Sequence, residues 1–493
     1  VGRQCLLTGT SIARYFVWDG IRAFDYLLTR PDVDPARIGV AGNSGGGTQA
    51  AWLGALEPRL AAIDSSCYIT SWEELWKGSG PQDMEQVLPG FLAEGLDFAD
   101  VIAAASPRPY LVSSAIRDFF PIDGARDTVG QARRFYARLD ARDRVQHVEH
   151  DAEHGWSQPL REAAYRFFGQ LWLGDTASAP EADVVIETPA ALRATKTGQV
   201  ATSYDVRTIV DFNRERAEEL ARTRPPATAE RLRVHLQVPV DGPLPRVARR
   251  GEAAPVDGLR TERLAIETAP DLELPALLVH PDGTPKGTVV IADGREPAGD
   301  ATAREAAAAR WAARGYLALA VDVRGVGALG PSRGRSGYTA DYQQAARAWL
   351  LGTSMVAWQA QDLIGALRLL EREALDAPAR VLDAAGLTVP AAIFAAALHP
   401  VTELYATQGI VSYLDLATTQ HYQASARLFV PGILEVADLG DAMKLAAPAT
   451  VHLVRPRRAD GGAVEDVREL ARLLGGAVPG NVRLEAAESG SAW

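Results

Sequence analysis

Cysteine is nearly absent: Cys5 and Cys67 are the only two in 493 residues. That excludes a disulfide scaffold and leaves two buried thiols as the expectation, with one bridge as the alternative. Long apolar runs are missing too, and none reaches the ~20 residues that a membrane-spanning helix needs. Positive charge is in deficit, with 51 Lys and Arg against 62 Asp and Glu for a net charge of −11. A surface of that sign argues against nucleic acid and anionic membranes as partners. A starting methionine is also lacking, because the chain opens on Val1. The start therefore reads as processed or truncated, and the lack of a leader says nothing about compartment. What remains is ordinary for a globular protein: 47% hydrophobic and 23% charged residues. At 493 residues, two to four domains are the expectation.

Against that background one run carries chemistry. Arg37-Ile38-Gly39-Val40-Ala41 reads as an apolar strand, Gly42-Asn43-Ser44-Gly45-Gly46 has the G-x-S-x-G form, and Thr48 to Leu56 reads as a helix. Strand, tight turn and helix are the context of a nucleophile elbow, which presents a hydroxyl at a helix N-terminus where developing negative charge is favoured. Glycines are expected to flank the serine because side chains there would collide with strand or helix.

Partners for that serine follow in the order Ser, Asp, His. Pro109 to Ala115 reads as a buried strand that leads into Ile116-Arg117-Asp118-Phe119-Phe120-Pro121. Asp118, just past the strand end, is where a base-orienting carboxylate belongs, and Asp123 is the runner-up. Arg144 to His150 alternates as a strand and leads into Asp151-Ala152-Glu153-His154-Gly155-Trp156. The roles then fall to Ser44 as nucleophile, His154 as general base and acid, Asp118 as its orienter, and the Gly45 N–H as an oxyanion donor. His147, His150 and His154 lie close together, but their spacing matches no standard zinc pattern. Neither a metal nor a cofactor is expected.

Four stretches carry a resemblance: Asp34-Pro35-x-Arg37-Ile38-Gly39-Val40, Gly42-Asn43-Ser44-Gly45-Gly46, Arg117-Asp118-Phe119-Phe120-Pro121 and His154-Gly155-Trp156. With them, residues 1–175 resemble the C-terminal two-thirds of a bacterial α/β-hydrolase of the acetylxylan-esterase and prolyl-oligopeptidase-like group. The resemblance implies a mostly parallel sheet with helices on both faces and hydrolysis of carboxylic esters, often acetyl groups on polysaccharides. It also implies a secreted or periplasmic protein with a small-molecule or polysaccharide ester as substrate.

The chain also repeats itself. Gly9-Thr10-Ser11 recurs as Gly352-Thr353-Ser354, Asp19 as Asp362, and Pro35-Ala36-Arg37 as Pro378-Ala379-Arg380, each 343 positions on. Further along the register slips by one, so that Pro89-Gly90 matches Pro431-Gly432 and Asp118 matches Asp460. We therefore expect two tandem α/β-hydrolase domains: a catalytic copy at 1–175, a linker with a short helix at 176–228, and a second copy at 229–493. Ala384-Ala385-Gly386-Leu387-Thr388 replaces the elbow in the second copy, and Ser489 to Trp493 replaces the histidine loop. Only the acid, Asp460, persists, so this copy reads as degenerate. Strands are expected around 263–267, 274–279, 286–292 and 316–321, with a helix over 301–314. Equivalents for the first copy would precede Val1, so a missing N-terminal region or a partner segment is expected to complete its sheet and supply the second oxyanion donor.

Two further features need a reading. Gly325-Val326-Gly327-Ala328-Leu329-Gly330 matches G-x-G-x-x-G, but Pro331 to Gly337 follows as loop, so no helix N-terminus awaits a pyrophosphate. The insertion Thr70 to Ser106 holds Trp72, Trp76 and Gln82, residues suited to capping a site. Trp72 at i, i+4 from Trp76 reads equally well as helix core, and Trp156 beside His154 is the better pocket wall. Asn43, Trp156, Trp72 and Gln82 are thus the candidate substrate-binding residues. Two alternatives to an esterase stay open: a serine peptidase using the same triad, and a non-catalytic glycan-binding protein. The peptidase lacks any 40–50-residue propeller repeat to dock a peptide.

Overall fold

Short β-branched and apolar stretches between helices build two sheets, one parallel and one mixed. The structure is a computed structural model that describes residues 1–174, 180–239, 245–269, 271–295, 301–331, 338–374 and 377–485. The tail Ser489 to Trp493 and most of the loop Pro331 to Gly337 lie outside these. The described residues divide into two compact units. One is built from Ser11–Thr208, the other from Val1–Thr10 and the chain from Ile209 onward. The first ten residues, which the sequence boundaries give to the first domain, pack in the second unit. There Leu6 and Leu7 are fully buried, and the Gln4 side-chain amide donates to the carbonyls of Leu416, Ala417 and Thr419 at 3.0, 3.2 and 2.9 Å. No helix among the described residues is long and apolar enough to cross a membrane.

The first unit carries four parallel strands in spatial order β1 (Gly39–Asn43), β2 (Ala62–Ser66), β3 (Tyr110–Ala115) and β4 (Val145–His150). β2 and β3 are buried at every position, as inner strands of a parallel sheet should be, whereas β4, an edge, is mostly partly or fully exposed. Neighbouring residues of the chain face opposite sides. Ile38 and Val40 pack with Phe24, Leu53 and Leu60, which brings in helices Ala13–Leu28 and Gly45–Leu56. A Cβ on Gly39 would meet Phe168 and Trp172 of helix Gln158–Leu173 on the other face. Helices therefore cover both faces. The outer edge of β1 pairs with no strand among the described residues.

The second unit is a nine-stranded mixed sheet. Its strands are β5 (Arg246–Glu252), β6 (Thr261–Ala269), β7 (Leu272–Val279), β8 (Gly287–Gly294), β9 (Tyr316–Val321), β10 (Ala379–Gly386), β11 (Glu403–Thr407), β12 (Thr450–Val454) and β13 (Val482–Glu485). Their order is β13-β12-β11-β10-β8-β9-β7-β6-β5. β8 to β13 run parallel, and β5, β6 and β7 add in antiparallel fashion. The run β10-β11-β12-β13 has the order and direction of β1-β2-β3-β4. In the G-x-G-x-x-G loop a 3-10 turn, Gly327–Leu329, follows the strand. The loop closes on a buried carboxylate, because the Ala328 N–H donates to Asp322 at 3.0 Å.

Candidate active site

Ser44 follows the last residue of β1 and caps helix Gly45–Leu56. Its backbone sits at φ 58°, ψ −121°, a conformation that costs a non-glycine residue about 1–3 kcal/mol. Two hydrogen bonds impose it: the Ser44 N–H donates to Ser66 O at 2.9 Å, and Ser44 O accepts from the Thr48 N–H at 2.9 Å. The glycine requirement differs from the sequence expectation. A Cβ on Gly42 would stand 2.2 Å from Gly46 O, and one on Gly47 would stand 2.4 Å from Ser66 O. Gly45 and Gly46 have open space where a Cβ would go. The crowding comes from helix backbone and β2 pressing on the strand, so Gly42 and Gly47 are the positions that must stay small.

The three residues named for the chemistry meet although they come from three strand ends. His154 Nε2 lies 2.9 Å from Ser44 Oγ, and His154 Nδ1 lies 2.9 Å from both carboxylate oxygens of Asp118. The Asp118 side chain is 2% exposed and that of His154 25%. A carboxylate shielded from water in that way orients the ring through Nδ1 and leaves Nε2 facing the hydroxyl. The Phe120 N–H holds one Asp118 oxygen at 3.0 Å. Asp123 is turned away and pairs with Arg126 at 3.2 Å. Gly45 stands at the first helical position, where a backbone N–H has no acceptor within the helix.

Phe119 was not singled out by sequence reasoning. Its ring packs on the His154 imidazole with centroids 4.4 Å apart and planes at 35°. Its adjacency to Asp118 was the available signal. Cys67 was also missed as a neighbour of the site: its sulfur lies within 4.8 Å of ligand atoms of both Asp118 and His154. Burial pushes that thiol above its usual pKa, which keeps it protonated. Cys5 and Cys67 are both free and buried. His147 and His150 do not join His154, because they bond to Ser114 Oγ at 3.0 Å and Ser157 Oγ at 2.9 Å.

The candidate substrate-binding residues each have partners of their own. Asn43 Oδ1 accepts from Ser66 Oγ at 3.1 Å, bracing β1 against β2. Trp72 is 5% exposed and packs on Phe98 at 5.6 Å. Gln82 is buried, with its amide donating to Gly80 O at 2.7 Å. Trp156 is partly buried and packs against two apolar clusters, one with Leu111, Ala164 and Phe167, the other with Cys67, Ala115 and Leu160. The chain turns between His154 and Trp156, which carries the indole into the apolar layer beneath the loop.

Comparison with known proteins adds the following. No protein-family model matches the chain. Over 178 residues it is 29% identical to a curated protein of Bacillus subtilis (strain 168) described as "Putative hydrolase YtaP", a match that takes in 35% of this chain and 58% of that protein. The chain thus spans less than two thirds of that relative's length. An acetyl xylan esterase from Paenibacillus sp. R4 is similar at 15% identity and TM-score 0.35, over 56% of this chain and 93% of that one. A structure titled "putative acetyl xylan esterase" from Bacteroides fragilis NCTC 9343 is similar at 14% identity and TM-score 0.42, over 57% of this chain and 77% of that one. In sequence, what this chain is similar to is a hydrolase.

Proposed function

We propose that the chain is a serine hydrolase of carboxylic esters, acting on acyl or acetyl esters of a carbohydrate, with the first unit catalytic and the second a degenerate copy of it. The observation that carries the reading is the line Ser44 Oγ, His154 Nε2, His154 Nδ1 and Asp118, each link 2.9 Å, at the end of a strained elbow. In the proposed reaction His154 takes the Ser44 proton as Oγ attacks the ester carbonyl, and Asp118 stabilises the imidazolium. The Gly45 N–H donates to the oxyanion. Collapse returns the proton to the departing alcohol, and a water activated by the same imidazole then releases the acid from Ser44. We place the second oxyanion donor on a segment that pairs with the outer edge of β1, as β8 pairs with β10.

Intact mass after incubation with a fluorophosphonate tests the reading, with the Ser44→Ala chain alongside. One adduct on the parent and none on the variant is the expected result. No adduct on a demonstrably folded chain overturns the enzyme reading and favours a binding role. If labelling succeeds, faster turnover of an acetylated sugar than of a peptide amide separates the esterase from the peptidase.

A further inference from the structure

At the carboxyl ends of β8, β10 and β11 the second unit holds a cavity of about 620 Å³, bordered by Gly294, Gly386 and Gln408. That volume lies within the range of about 300–1,000 Å³ usual for small-molecule sites. Its place in the sheet matches that of Ser44, because Gly386 ends β10 at φ 64° where Ser44 follows β1 at φ 58°. The local chemistry does not match. The Leu387 N–H, counterpart of the proposed oxyanion donor, already donates to Gly294 O at 3.1 Å. A Cβ on Gly386 would stand 2.7 Å from Gly294 O and 2.8 Å from Arg295 N. The strand-end turn is thus closed to a nucleophile, while the space in front of it is open.

The lining shows what that space suits. Two arginines, Arg295 and Arg457, face one aspartate, Asp341. Arg295 is forked onto Asp293, at 2.9 and 2.7 Å. Asp341 is compensated by Arg427 Nε at 2.6 Å and the Ala426 N–H at 2.8 Å. Arg457 is left as the cation in excess. Its backbone N–H is fixed on Gly409 O at 2.9 Å and one guanidinium nitrogen on Gly461 O at 3.0 Å, and it pairs with no carboxylate among the described residues. Gln408 adds an amide, which both donates and accepts, from a backbone at φ 57°. Leu387, Ile410 and Leu428 give an apolar floor.

We propose that this cavity binds a small hydroxylated carboxylic acid of the sugar-acid class. Arg457 takes the carboxylate through a charge-assisted hydrogen bond, the Gln408 amide meets the hydroxyls, and the apolar floor meets the C–H face of the ring. The proposal is independent of whether Ser44 is activated.

Titration calorimetry of the full chain with D-glucuronate, D-glucose and inorganic phosphate tests it. The expected result is saturable binding of one glucuronate, with glucose and phosphate each at least tenfold weaker. Arg457→Gln, an exposed position whose variant is checked for an unchanged melting temperature, should weaken glucuronate at least tenfold, and Ser44→Ala should leave it unchanged. No saturable binding overturns the proposal, as does glucose or phosphate binding as tightly as glucuronate. Binding that survives Arg457→Gln but is lost in Ser44→Ala places the sugar acid in the first unit instead, and equally overturns it.

Discussion

The elbow works because two residues other than its serine are too small to object. With a Gly42 Cβ position 2.2 Å from Gly46 O, Gly42→Ala forces backbone to move and should cost about 3 kcal/mol, the upper end of the usual overpacking range. Gly46→Ala meets nothing within 4 Å and removes a glycine from a helix, so it should stabilise by about 0.5–1 kcal/mol. Urea midpoints of the two variants check the opposite signs. The G-x-S-x-G spacing alone puts both glycines on the same footing, because spacing reports which residues are near and not which neighbours crowd them. Asp118 is the complementary case, a residue whose loss the fold tolerates. Asp118→Asn keeps the shape but reverses the polarity offered to His154 Nδ1. It should lower kcat by roughly 10³–10⁴-fold on an activated ester, with KM little changed and the urea midpoint close to the parent's.

β2 shows how an element carries an electrostatic cost for its position. Asp64 is fully buried in the middle of the sheet, with one oxygen accepting from Ser113 Oγ at 3.0 Å and the other without a partner among the described residues. Burial pushes its carboxyl up to about 7. The unfolded chain releases this proton near pH 4 and the folded chain near pH 7. Below pH 4 both states are neutral and the group costs nothing. As pH rises from about 4 to about 7 the unfolded state alone gains its charge, so stability falls across that window and stays lower above it. Asp64→Asn should remove this slope and raise the melting temperature at pH 8 more than at pH 4, as calorimetry at the two pH values would read. Most elements were legible because apolar runs announced them, as in Tyr110–Ala115, Gly287–Gly294 and Tyr316–Val321. β5 was not, since Arg246–Glu252 carries three arginines and a glutamate and forms only as an antiparallel edge on β6. Trp156 was read beside the base by adjacency, and its half-buried ring packs against the cluster that holds Cys67.

For the molecule as a whole, three separate observations bear on the proposal that the first unit reacts and the second does not. The first unit has a hydroxyl, an imidazole and a carboxylate in line. In the second, the serine position is Gly386 and the backbone of Gly294 and Arg295 fills the place a side chain would take. Asp460, read from sequence as the surviving acid, faces no imidazole among the described residues: its carboxylate accepts from the Gly462 N–H at 2.9 Å and from Arg458 Nε at 3.1 Å, which hold it below the usual carboxylate range. A turn and an ion pair account for it without any catalytic inheritance. Restoring the serine therefore should not restore the site. In a Ser44→Ala background, Gly386→Ser introduces a hydroxyl that must displace Gly294 O, 2.7 Å from its Cβ, while Asp460 is already engaged by Arg458 and Gly462 in its own turn. A nucleophile without a base reacts as slowly as free serine. The double variant should take up no fluorophosphonate while Gly386→Ser alone takes up one adduct, at Ser44. Two adducts on the single variant would show that the second unit retains a working base, and the division into a reacting unit and a binding unit would fall.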